Sequence, residues 1–373
     1  MTAFRYAVLS LALFISALAH AEEVATDSAL PDSQKSLEDR FVLPTSDSRI
    51  LPIKHVLPLD TDGQNAYLDW LKERGFGGMT TNISFDQYLR NEDHWKALRR
   101  GVEEARKRGM SLWLYDEHGY PSGNAGGLTM EGHPEWEAKG LLISRTESHG
   151  GSVNLDCPPG TLMLATAFPW TNALLTLDAG VDLAKEVKDG KLLWTAPEGD
   201  WQVLVITENA LYEGTHAAVS LADKLPYINL LMPEPTARFL ELTHDAYADH
   251  FGEDLGKWFV STFTDEPSLM SLYMRQQPWS VLPWSTNLPV EFEKRRGYPL
   301  DRVLPLLVCG TGPETEKARH DFWRTVGDLV SENYFGQIQN WCHRHDVLSG
   351  GHLLMEEATL ADRGKSHALS ATG

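Results

Sequence analysis

Three acidic pairs carry the chemistry this sequence could perform. Asp116-Glu117, Asp265-Glu266 and Glu356-Glu357 each close a run of strand-forming residues: Met110–Tyr115, Trp258–Thr264 and Val347–Met355. Cleavage of a glycosidic bond needs one protonated carboxyl to assist the leaving group. It also needs a carboxylate that activates water or attacks directly. A single acid after a strand serves equally well as a helix cap or a solvated loop residue. Repetition at three strand ends favours an acid–base site. In α/β barrels, catalytic groups sit at the carboxyl ends of the strands, where apolar surroundings raise a carboxyl pKa toward general-acid use.

A second stretch supports the first. Trp113 to Gly127 reads WLYDEHGYPSGNAGG, with Pro121 and four glycines fixing an irregular loop at a strand end. Such a loop could present Tyr115, Asp116 and Tyr120 to a hydroxyl-rich ligand, or could simply cover the end of the sheet. Weaker patterns carry no assignment. His352 and Glu356 lie too far apart along a strand to share a metal, and His343 and His345 at a helix end suit its dipole. Asn82-Ile-Ser84 is a formal glycosylation sequon. The export signal below looks bacterial, so it is given no weight. The wide spacing of Cys157, Cys309 and Cys342 matches no metal module and an odd count excludes full pairing.

The elements that must position these acids alternate. An apolar run at Leu51–Leu59 precedes a helical pattern with Tyr67, Leu68 and Leu71 on one face, closed by Gly75. A strand is expected over Gly77–Ser84, then a helix over Glu92–Arg108 burying Trp95, Leu98, Val102 and Ala105, then the strand ending at Asp116. Later come a helix over Glu234–His250 with Ala237, Leu240 and Ala246 inward, and one over Ala318–His345 with Phe322, Val326, Leu329, Ile338 and Trp341 inward. Short-looped alternation of this kind means βαβ units and a parallel sheet, either open or closed into a barrel. No G-x-G-x-x-G follows the first strand, which disfavours a dinucleotide site. Between Gly140 and Glu213, short strands broken by Gly, Asp and Pro turns are expected to form an inserted antiparallel β-sandwich.

The remainder is set by composition. The chain has 373 residues, 42% hydrophobic and 23% charged, with a net charge of −19 that disfavours nucleic acid and anionic membrane surfaces. Arg5, the apolar run Ala7–Leu18 and Ala19-His20-Ala21 form an export signal over residues 1–21, too short to span a bilayer of ~30 Å. The mature protein is expected in the periplasm or outside a bacterial cell, with no membrane insertion. Residues 22–47 read as a flexible leader. The barrel then occupies 48–139 and 214–357, the insert 140–213, and an irregular tail 358–373.

Several spaced motifs resemble one family. Asp116-Glu117-His-Gly-Tyr-Pro-Ser-Gly123 with Gly126-Gly127, Phe263-Thr-Asp-Glu-Pro267 and Gly351-His-Leu-Leu-Met-Glu-Glu357 are similar to the signatures of glycoside hydrolase family 106, the α-L-rhamnosidase-like proteins. Pro197-Glu-Gly-Asp-Trp201 resembles that family's inserted sandwich, and Phe239–Tyr247 its helix before the fourth strand. The resemblance runs from about residue 50 to 357. It implies a (β/α)8 TIM-type barrel, inverting cleavage of terminal α-L-rhamnosides of polysaccharides, and calcium. Carried across, Glu266 is the general acid with Asp265 beside it. Glu356 and Glu357 supply a calcium ligand and the general base, and Asp116, Glu117 and His352 bind sugar hydroxyls.

The strand count departs from that family. Strands ending near Leu59, Ser84, Asp116, Thr264 and Met355 make five βα units, not eight. Without the signal, leader and insert, the length nevertheless approaches the ~250 residues of a complete barrel. The expectation is a C-terminally truncated member whose fifth strand is an exposed edge, poorly soluble and inactive when expressed alone. A non-catalytic carbohydrate-binding protein or inactive remnant is the alternative.

Overall fold

The computed structural model describes residues 36–211, 226–267, 269 and 279–353. The export signal, most of the 22–47 leader, the tail and both glutamates of the pair at 356–357 lie outside them. The strands are β1 Ile53–Val56, β2 Gly78–Asn82, β3 Ser111–Tyr115, β4 Lys139–Ser148, β5 Gly151–Asp156, β6 Thr161–Thr171, β7 Leu174–Leu175, β8 Val181–Asp182, β9 Val187–Lys188, β10 Lys191–Ala196, β11 Trp201–Ala210, β12 Ser261–Asp265, β13 Ser280–Trp284 and β14 Leu348–His352. The helices are α1 Leu37–Val42, α2 Thr61–Glu73, α3 Glu92–Lys107, α4 Pro233–Leu242, α5 His244–Phe251, α6 Leu255–Trp258, α7 Leu288–Arg296, α8 Leu300–Val308, α9 Pro313–Val330 and α10 Gly336–Arg344. The chain divides into two compact units. The first holds residues 36–118, 240–265 and 338–352, and the second holds the rest.

In the first unit a parallel sheet has the order β1-β2-β3-β12-β14. The strands therefore sit side by side in chain order, as successive βα units would lay them down. Among the described residues these five strands form a parallel sheet with β1 and β14 on its two sides. The helices between them follow the sequence closely. Asp60 caps α2 by accepting from the Gly63 amide at 2.7 Å, and Asn91 caps α3 by accepting from Asp93 at 2.9 Å. Both helices turn out through glycine, Gly75 at φ 78° and Gly109 at φ 71°. Leu68, Leu71, Trp95, Leu98, Val102 and Ala105 are all buried, whereas Tyr67 is half-buried.

Four local expectations are corrected. The strand expected from Trp258 begins at Ser261, because Leu255–Trp258 closes into a short helix whose Leu255 is buried. The helix expected over Glu234–His250 breaks at Thr243, whose hydroxyl bonds the His244 Nδ1 at 2.8 Å in place of regular helix. Its buried face carries Phe239, Leu240 and Tyr247, and Ala237 is exposed. The helix expected over Ala318–His345 starts earlier, at Pro313, and contains a π turn at Ser331–Phe335, although Phe322, Val326, Leu329, Ile338 and Trp341 are buried as read. Within the expected leader, α1 holds Leu37 and Phe41 in solvent.

The second unit contains the antiparallel insert and more. A six-stranded sheet runs β13-β4-β11-β6-β7, with β8 also on β6, and a three-stranded sheet runs β5-β10-β9. Period-two alternation in β11 divides its work. Val203 and Val205 pack with Val153 and Leu192 of the small sheet, making the sandwich core. Leu204 and Ile206 pack with Leu288, Phe292, Leu304 and Phe322 of α7 to α9. The larger sheet is thus covered on both faces. Its outer strand β13 comes from far along the chain, beyond the 140–213 insert, and pairs Trp284 with Lys139 of β4. The Trp284 indole donates to Glu208 at 2.9 Å, and Lys139 bonds the same carboxylate at 2.8 Å. The three cysteines are free thiols.

Candidate active site

Parallel strands deliver their last residues to one edge of the sheet. In the first unit these are His55 and Val56 of β1, Asn82 of β2, Tyr115 of β3, Asp265 of β12 and His352 of β14. The register sets the neighbours: Phe263 aligns with Tyr115, and Asp265 with His352. Five of these six residues are polar, which is unusual for the end of a buried sheet and expected of a ligand site.

Asp265 is the centre of this edge. Only 9% of it is exposed. Its Oδ2 accepts the Tyr115 hydroxyl at 2.8 Å, and its Oδ1 lies 3.7 Å from the His352 Nδ1. Burial, and next the Asp265 charge, push the Tyr115 phenol far above its ordinary value, so it stays protonated and donates. His352 is half-exposed, with its ring edge-on to Phe263 at 4.7 Å. Glu266 follows Asp265 directly and is half-buried, with a backbone φ of 49°. A non-glycine residue rarely takes that left-handed conformation, and strain of this kind concentrates at functional positions.

Asp116 and Glu117 are buried rather than open to solvent. The Asp116 amide donates to the Phe263 carbonyl at 3.2 Å, tying the end of β3 to β12 just before Asp265. The Glu117 carboxylate accepts from the His118 amide at 2.7 Å, and its carbonyl accepts from Asn82 Nδ2 at 2.6 Å. His244, fully buried, holds its Nε2 3.8 Å from Asp116 Oδ2, and burial lowers the imidazole pKa to about 3. The imidazole is therefore neutral. Trp341 lies edge-on to the same ring at 4.9 Å. Tyr247 accepts from the Ile83 amide at 2.8 Å, and Tyr88 packs edge-on to His118 at 5.1 Å. Burial raises both phenols.

The structure thus brings together Tyr115, Asp116, Glu117, Asp265, Glu266 and His352 of the expected residues, the last three offering ligand atoms within 4.8 Å of one another. Tyr120 is half-buried and belongs to the second unit. Glu356 and Glu357 lie outside the described residues. Sequence reasoning missed His55, Tyr88, His244 and Tyr247. His244 and Tyr247 belong to the Phe239–Tyr247 segment, and their signal was the helical spacing of polar residues on its buried face.

The sequence profile of glycoside hydrolase family 106, described as alpha-L-rhamnosidase, matches residues 161–362. A protein of Formosa agariphila named "Putative beta-glucuronidase" is 24% identical over 171 residues, 45% of this chain and 14% of that protein. The structure of a rhamnosidase from Novosphingobium sp. PP1Y superposes with a TM-score of 0.52 at 14% identity, covering 86% of this chain and 47% of that one. At that identity the likeness shows the fold. The matched regions span less than half the length of either relative. With more than half of its residues matched by the profile, this chain belongs to glycoside hydrolase family 106.

Proposed function

We propose that this chain is an exported glycoside hydrolase that cleaves terminal α-L-rhamnosides of polysaccharides with inversion. The observation that supports this most is the Asp265-Glu266 pair at the carboxyl end of β12, centred among the polar strand ends in a chain of this family. Glu266 is the general acid that protonates the glycosidic oxygen as the bond breaks. Asp265, fixed by Tyr115, is the neighbouring charge. Glu357 is proposed as the base that activates water on the opposite face of the sugar, which in inverting enzymes stands ~6.5–9.5 Å from the acid. The described sheet is proposed to be five strands of a (β/α)8 barrel.

Calcium enters this reading from the family alone, with Glu356 as a ligand. Asp265, Glu266 and His352 each offer one ligand atom within 4.8 Å of one another, but two carboxylates and an imidazole nitrogen are not the six to eight oxygens calcium requires. No step is therefore assigned to the ion. Rhamnoside hydrolysis and L-rhamnose binding by the chain test the reading together. Turnover that is lost in Glu266→Gln with binding intact supports the enzyme and removes the expectation of an inactive chain. Binding without turnover in either form favours the non-catalytic carbohydrate-binding alternative.

A further inference from the structure

The pairing of β1 with β2 slips by one residue at a single point. Lys54 aligns with Thr81 and Val56 with Asn82, so His55 is an extra residue with no partner in the ladder. A bulge of this kind re-aims a side chain, and bulges gather at sheet rims beside active sites. Here it falls at the carboxyl end of β1, the same edge as Asp265. The His55 ring stands edge-on to Tyr115 at 4.4 Å and tilted against Phe85 at 5.6 Å. Tyr115 gives its hydroxyl to Asp265 and has none to offer the imidazole. Among the described residues the His55 Nδ1 is buried without a hydrogen-bond partner.

These facts fix the ring's chemistry. Burial lowers the His55 pKa; the Asp265 charge raises it and Lys54 lowers it further. The ring is therefore neutral near pH 7 and carries one N–H. An orphaned buried N–H is rarer than an orphaned acceptor, so the bare nitrogen is Nδ1 and the proton sits on Nε2. The geometry points to His55 as a substrate-positioning residue whose Nε2–H donates to a hydroxyl of the bound sugar beside Asp265. This rests on the glycosidase reading and adds a contact from the first strand to the acids of the third and fourth.

The test uses the full chain with 15N-labelled histidine, titrated with L-rhamnose and, separately, with D-glucuronic acid. The inference expects the His55 signals to show the Nε2–H tautomer and to move on addition of one of these sugars. His55→Phe, which keeps the ring packing, should weaken that sugar's binding by about tenfold, the loss of one hydrogen bond. His55→Gln, whose amide reaches the Nε2 position, should restore most of it, with unchanged melting midpoints. A His55 resonance unmoved by both sugars, or equal affinity in His55→Phe, overturns the inference. Movement with glucuronic acid but not rhamnose keeps the inference and overturns the rhamnoside reading instead.

Discussion

The Tyr115 hydroxyl donates to Asp265 Oδ2 across 2.8 Å, joining the last residues of adjacent parallel strands β3 and β12. Both side chains are buried. Tyr115→Phe removes this buried donor to Asp265, at an expected cost of about 1–3 kcal/mol in unfolding free energy. Because Asp265 adjoins Glu266, turnover should fall more than rhamnose affinity does. Denaturant melts and steady-state kinetics of the variant check both. Equal stability of variant and parent would show that the bond contributes nothing.

His244 makes the fold acid-sensitive. Its folded pKa, about 3, lies below the unfolded value of 6.5. Above that value both states are neutral and stability is unaffected. As pH falls below 6.5 the unfolded chain takes up a proton that the folded chain refuses, so stability falls by up to ~1.4 kcal/mol per unit until about pH 3. Melting midpoints from pH 7 to pH 4 should therefore drop less steeply in His244→Gln than in the parent. Parallel curves would contradict this.

Gly351 lets β14 lie against β12. A Cβ there would sit 1.9 Å from the Thr264 carbonyl oxygen, and the residue's φ is 149°. Gly351→Ala should lose several kcal/mol, through both the clash and the backbone conformation, and β14 carries His352. Circular dichroism melts measure it; a variant as stable as the parent would mean the strand is free to move.

The side of β14 that is unpaired among the described residues is the predicted point of self-association. Among the described residues it pairs only with β12, and Leu348 is 71% exposed. Unpaired edges template further strands, and a charge on such an edge blocks them. Leu348→Lys should shift the sedimentation profile toward smaller species. An unchanged profile would remove β14 as the contact.

Much of this arrangement was legible in the residues. Amphipathic spacing and Gly75 and Gly109 located α2 and α3, and the acids after Tyr115 and Thr264 marked the strand ends that matter. The rest depended on distant pairing. No local pattern assigns Ser280–Trp284 to the insert's sheet, because its partner Lys139–Ile143 is far away in sequence. The bulge at His55 arises only when β1 meets β2. From the sequence, Asp116 and Glu117 read as binders of sugar hydroxyls. Their burial beside His244 follows from α5, whose first residue is placed by the break at Thr243.

Leaving-group dependence tests the central claim most directly. General-acid help matters most when the departing oxygen is a poor leaving group, and it contributes ~10²–10⁴-fold. Parent and Glu266→Gln should be compared on an alkyl and a nitrophenyl α-L-rhamnoside. The account predicts that the substitution nearly abolishes alkyl rhamnoside cleavage and spares much more of the nitrophenyl reaction, with rhamnose affinity intact. Equal losses on both substrates, or a variant as active as the parent, would contradict Glu266 as the acid.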